Sequence, residues 1–102
     1  MSSVETAPMS KPAERVRERL ARALPDVPGE VRDLDLPTVE TSPEHWPALA
    51  RFLRDDPEMR FDLFLDLAGV DNLRRRGRPN RFEAVAHLYS LSRDEHLRVK
   101  VL

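Results

Sequence analysis

No cysteine occurs in this chain of 102 residues, which excludes disulfides, thiolate metal ligands and cysteine nucleophiles. Glycine is scarce. Only Gly29, Gly69 and Gly77 are present, and no two lie close enough to form a loop that cradles a phosphate. No stretch approaches the ~20 apolar residues of a membrane span. The first residues, Met1 to Ala7, lack a basic start followed by an apolar run, so the chain is expected in the cytosol. An excess of one charge is also missing: 17 basic residues face 18 acidic ones, for a formal net charge of −1. That balance speaks against nucleic acid as a partner, which selects a strongly basic footprint, and against a polybasic membrane anchor. The length supports one domain. Such a domain hides roughly 60–65% of the surface of its unfolded chain, enough for one modest core.

What is present reads as an α+β domain. Residues 1–11 are small, polar and proline-bearing, and are expected to be a disordered tail ahead of a single domain over 12–102. From Pro12, the residues Ala13, Val16, Leu20, Ala23 and Leu24 recur at helical spacing, with Ser10 as a cap and Pro25 and Pro28-Gly29 as a stop. Residues 30–40 suggest one short strand, confined to a sheet edge by Pro37. Thr41-Ser-Pro-Glu44 has the form of a capping box ahead of the stripe Trp46, Leu49, Ala50, Phe52 and Leu53. Pro47 requires either that this helix begin near Trp46 or that its first turn be distorted. Phe61 to Asp71 is the most apolar stretch, expected to enter irregularly at Phe61 to Phe64 and continue as a strand with a bulge or close approach at Gly69. Trp46, Phe52, Phe61 and Phe64 are spaced like core residues.

The runs 82–91 and 97–102 flank a short turn and predict a C-terminal β-hairpin. With the turn centred on Arg93 and Asp94, Leu91 lies opposite His96 and Tyr89 opposite Arg98. Side-chain alternation then assigns Ala86, Leu88, Ser90, Leu97, Val99 and Val101 to a core face, and Val85, His87, Tyr89, Leu91, Arg98 and Lys100 to a mixed outer face. The fold class expected is therefore two or three helices packed on a small, mainly antiparallel sheet.

Chemistry is harder to find. His45, His87 and His96 have no metal-ligand spacing, and in the register above His87 faces Lys100 rather than His96. Asp55 and Asp56 precede Pro57, where turn residues belong. Asp66 or Asp71 with His87 would be the remaining hydrolase pair, the weakest of the functional readings. No serine sits in a glycine elbow. The basic run holding Arg74, Arg75, Arg76, Arg78 and Arg81 reads either as a docking loop for an acidic partner or as a solvated connection between strands. No catalytic residue, cofactor or metal site is expected. The candidate partner-docking residues are those five arginines with Val85, His87 and Tyr89.

Three ordered blocks resemble a known family: Phe61-Asp-Leu-Phe-Leu-Asp-Leu-Ala-Gly-Val-Asp71, Arg81-Phe-Glu-Ala-Val-Ala-His-Leu-Tyr-Ser-Leu-Ser92 and Leu97-Arg-Val-Lys-Val101. Together with Trp46 to Pro57 they are similar to the C subunit of NADH–quinone oxidoreductase, the bacterial respiratory complex I, over about residues 41–102. The family's "E-R-E-x-x-D-L-F-G" helix does not occur in these residues, so the resemblance implies the N-terminal portion of a C subunit. It also implies a non-catalytic subunit of the peripheral arm on the cytoplasmic side, without flavin, cluster or quinone of its own, meeting the membrane only through the complex. Its partners would be the quinone-site D subunit and the iron–sulfur subunits. The equivalent subunit of a membrane-bound hydrogenase shares similar blocks, and a stand-alone adaptor docking through the basic loop is the alternative from another class.

Overall fold

The computed structural model describes residues 9–26, 29–73 and 82–102. Helix α1 spans Lys11–Ala23, strands β1 and β2 span Glu30–Asp33 and Pro37–Thr41, and helix α2 spans Trp46–Asp55. Strands β3, β4 and β5 follow at Leu63–Asp71, Phe82–Ser90 and Glu95–Val101. The five strands form one sheet in the order β1-β2-β5-β4-β3, in which the β2–β5 pair is parallel and the others antiparallel. Two helices on a mainly antiparallel sheet is the α+β arrangement that the periodicities predict.

Helix α1 starts as its residues dictate. The Ser10 hydroxyl accepts a hydrogen bond from the Ala13 amide at 3.3 Å, and proline occupies the first turn, where its missing N–H costs nothing. Ser10 and Lys11 thus belong to the helix and its cap, while residues 1–8 of the expected tail lie outside the described residues. Ala13, Val16 and Leu20 are buried on one stripe. The polar side of α1 is also used: Arg15 pairs with Glu95 at the end of the hairpin turn, and Arg19 with Asp56 at the end of α2.

Helix α2 departs from the expected capping box. Thr41 is the last residue of β2, the helix begins at Trp46 with Pro47 in its first turn, and His45 occupies the cap position without a side-chain bond to the helix. A preceding turn takes over, in which the His45 and Trp46 amides donate to the Ser42 carbonyl at 3.1 and 3.0 Å. The Ser42 hydroxyl meets His45 Nδ1 at 2.7 Å. Proline near the start of the helix pushes its regular part to Trp46, the first of the two alternatives that Pro47 allows. At the other end, Arg60 adopts φ 54° and turns the chain so that the Phe61 amide donates to the Leu53 carbonyl at 2.8 Å. The Asp56 carboxylate accepts from the Glu58 amide at 3.0 Å.

The core lies between the two helices and one face of the sheet. Val16 and Leu20 of α1 and Leu49 and Leu53 of α2 pack with Val39, Ala86, Leu88, Leu97 and Val99 of the sheet, and with Met59 and Phe61 of the turn. The core face expected of the hairpin is thus the one that is buried.

Four further local expectations change. Residues 30–40 form two strands, and β2 is flanked by β1 and β5; Pro37 is tolerated inside the sheet because it is the first residue of its strand. The irregularity in β3 falls between Phe64 and Asp66, with Leu65 left over, while Gly69 pairs regularly with Ala84 and has open space where a Cβ would stand. Phe64 is 53% exposed rather than core, because α2 does not reach across β3. The hairpin turn is four residues long, Leu91 to Asp94, so Tyr89 pairs with His96 and His87 with Arg98. Asp94 at φ 54° and its acceptance of the Tyr89 hydroxyl close that longer turn. The shift from the two-residue turn is even, so every side chain keeps its face.

Candidate docking surface

The sheet face opposite the helices is where Val85, His87 and Tyr89 come together. Register places them in rows across the strands: Leu63–Tyr89–His96, Asp66–His87–Arg98–Thr38 and Ala68–Val85–Lys100–Glu40. All three candidate residues of β4 are half-buried. His87 Nδ1 meets His96 Nε2 at 3.2 Å, with the two rings edge-to-face at 5.2 Å between centroids. His87 therefore contacts the diagonal histidine and lies opposite Arg98, not Lys100 as the shorter turn requires. Tyr89 lies edge-on to His96 with centroids 6.3 Å apart, and its hydroxyl donates to Asp94. That carboxylate stabilises the protonated phenol and raises its pKa above the ordinary value.

Towards β1 the same face is closed by ion pairs. The bend after β1 brings Asp35 onto Arg98, whose guanidinium donates two parallel bonds of 2.8 and 2.9 Å to the carboxylate. These bonds lower the Asp35 pKa to about 2. The bend also covers Thr38, whose hydroxyl donates to the Leu36 carbonyl at 2.9 Å. Arg32 sits between Glu30 and Glu40 at 3.3 and 3.2 Å. What remains open is the half of the face nearer β3, with an aromatic and imidazole cluster at its centre and apolar positions at its rim. A mixed surface of this kind suits recognition by another protein.

The five arginines of the basic run lie outside the described residues. Asp66 stands opposite His87 and Asp71 opposite Phe82. Asp66 and Asp71 are both exposed. Among the described residues, concavities lie beside Gly29 and Thr41, between α2 and the start of β3, and along α1, and these are not lined by Asp66 or His87. Among the described residues no group of three or more His, Asp or Glu side chains converges on a point that could hold a metal. No helix among them is long and apolar enough to cross a membrane.

One feature escapes residue-by-residue reading. Strand β3 is an edge strand, yet Leu63, Phe64, Leu65 and Leu67 are all exposed, at 39, 53, 47 and 61%, and Phe82 beside it is 62% exposed. The signal in the sequence is the density of apolar residues from Leu63 to Leu67 without strict alternation, which reads equally well as a strand buried on both faces.

A model of the family described as "Respiratory-chain NADH dehydrogenase, 30 Kd subunit" matches residues 39–102. A protein of Roseiflexus sp. (strain RS-1), named as the C subunit of NADH-quinone oxidoreductase, is 45% identical over 87 residues, covering 84% of this chain and 48% of that protein. A protein of the same name from Azorhizobium caulinodans is 45% identical over 64 residues, covering 63% of this chain and 29% of its own length. The chain thus spans about half or less of the length of these curated relatives. Among solved structures, the trypsin-resistant fragment (1–134) of Nqo5 superposes with a TM-score of 0.62 at 30% identity, covering 86% of this chain and 67% of that one. The match takes in the end of β2 and, whole, α2 and the three strands of the β3–β5 meander; α2 and the meander are the elements that carry the resemblance in sequence, and the chain belongs to the family of the respiratory-chain NADH dehydrogenase 30 kDa subunit.

Proposed function

We propose that this chain serves as a non-catalytic subunit of the peripheral arm of an NADH–quinone oxidoreductase, on the cytoplasmic side, where it holds electron-carrying neighbours in place and carries no electrons itself. The observation that supports this most directly is the family match over residues 39–102. The fold offers a means: an open sheet face on which Val85, His87 and Tyr89 lie side by side between the ion-paired β1 edge and the apolar rim of β3. Partners of this reading are the quinone-site D subunit and the iron–sulfur subunits. The arginines at positions 74, 75, 76, 78 and 81 would add electrostatic steering of an acidic partner surface.

The test is co-expression of the tagged chain with the D subunit and the iron–sulfur subunits, followed by affinity purification at physiological salt. The D subunit should co-elute, and Tyr89→Ala should reduce its recovery while the variant remains folded. Elution of the chain alone, with the D subunit in the flow-through, would refute the assembly role.

A further inference from the structure

Two of the three histidines meet on the open sheet face. His87 pairs with Arg98 and Tyr89 with His96, so His87 and His96 are diagonal neighbours on β4 and β5, within reach of each other's rings. The four-residue turn creates this meeting. His87 Nδ1 and His96 Nε2 stand 3.2 Å apart. Zinc–imidazole bonds are about 2.0–2.1 Å long, so two nitrogens at that separation can share one ion at an angle of about 100–106°, between the octahedral and tetrahedral values. Each ring can free its facing nitrogen by carrying its proton on the other one, His87 on Nε2 and His96 on Nδ1. Both rings are half-buried, which leaves room above them for water to complete a coordination shell.

The charges around the pair favour a cation. Asp66 is exposed and stands opposite His87 on β3. The Asp94 carboxylate accepts the hydroxyl of Tyr89, whose ring lies edge-on to His96. Arg98, the cation opposite His87, is neutralised by the two bonds it donates to Asp35. Lys100 lies one row further along, opposite Val85.

We propose that His87 and His96 form a two-imidazole site for a divalent cation of the class that prefers nitrogen ligands, with zinc as its representative and water in the remaining positions. No third His, Asp or Glu converges with them among the described residues. The fold does not depend on the ion, because the two rings are bonded to each other without it. The inference is independent of the assembly role, and neither result of the co-purification bears on it.

The test is titration of the whole chain with zinc sulfate at about pH 7.5, above the range in which free imidazole takes up a proton. Binding is followed by calorimetry and by the nitrogen-15 spectrum of the imidazoles. One ion should bind per chain, with shifts at His87 Nδ1 and His96 Nε2 and none at His45. His87→Gln and His96→Gln should each weaken binding roughly tenfold or more, at least what the loss of a group that merely orients a ligand costs. His45→Gln should leave it unchanged. If a glutamine variant melts below the parent, the imidazole spectrum of the unsubstituted chain decides. No binding at about 1 mM zinc, binding that survives the loss of both histidines, or shifts confined to His45 would each overturn the proposal and leave the pair as a hydrogen bond between two strands.

Discussion

Leu88 and Tyr89 are neighbours in β4 on opposite faces of the sheet, and truncating each to alanine separates the energetics of the two faces. Leu88 is 6% exposed and paired with Leu97 on one side and Phe64 on the other. Leu88→Ala removes the equivalent of three methylenes, about 2.4 kcal/mol of transfer free energy at ~0.8 kcal/mol each. The residual cavity adds to this, but Leu88 borders the groove beside α2, where side chains can close in, so the total is about 2.5–3.5 kcal/mol, in the lower half of the usual range. Such a loss is a large part of the roughly 5–15 kcal/mol that holds a domain of this size together. At about 4–8 °C per kcal/mol it lowers Tm by about 10–28 °C. Tyr89→Ala removes the hydrogen bond to Asp94 and the edge-on contact with His96, together about 1 kcal/mol on a half-open face. Thermal melts by circular dichroism, with urea titrations to confirm an unchanged m-value, measure both. A Tyr89→Ala protein that melts well below Leu88→Ala would refute the assignment of faces, and with it the docking surface.

Two further perturbations test the joints of the fold. The Asp56 pKa is lowered chiefly by the hydrogen bonds from Arg19, so its contribution is full above the unfolded pKa of about 4 and is lost as pH falls through the lower native value. Arg19→Met should therefore lower the urea midpoint at pH 7 and flatten its decline below pH 4; an acid limb identical to the parent's would show that this pair does not link α1 to α2. Gly69 has regular strand pairing and nothing within 4 Å of where a Cβ would stand, so Gly69→Ala should raise stability by about 0.4–1 kcal/mol through the unfolded chain. A loss in the same urea titration would mean that the backbone at Gly69 is constrained in a way the open space does not reveal.

The arrangement of helices and hairpin was legible because it follows from local patterns. Ala13, Val16 and Leu20 recur at the period of a helix whatever surrounds them, and the alternation from Ala86 to Ser90 assigns faces that survive a two-residue error in the turn. The family blocks were legible as residues in order. The capping box was a misleading local signal: Thr41 has the right spacing to Glu44, but its backbone ends β2, which pairs with β5, and the turn at Ser42 delays the helix to Trp46, five residues on and beyond reach of a Thr41 cap. The β1–β2 hairpin was hidden because Pro37 argues against an interior strand unless its position as the first residue is known. Composition points to Gly69 for the bulge, while the register puts it at Leu65.

By itself the sequence determined which segments are amphipathic, which face of β4 and β5 is apolar, and which family the chain resembles, since each depends on the order and spacing of neighbouring residues. Only the tertiary structure decided how far the helix layer extends. Phe61 and Phe64 are three residues apart and equally apolar, yet Phe61 is 4% exposed and Phe64 is 53% exposed. Phe61 is drawn in by the hydrogen bond that its amide donates to the Leu53 carbonyl at the end of α2, whereas Phe64 lies on an edge strand that neither helix covers. Burial of an apolar side chain is settled by what stands opposite it, and that partner is set by long-range packing rather than by the residue or its neighbours in the chain.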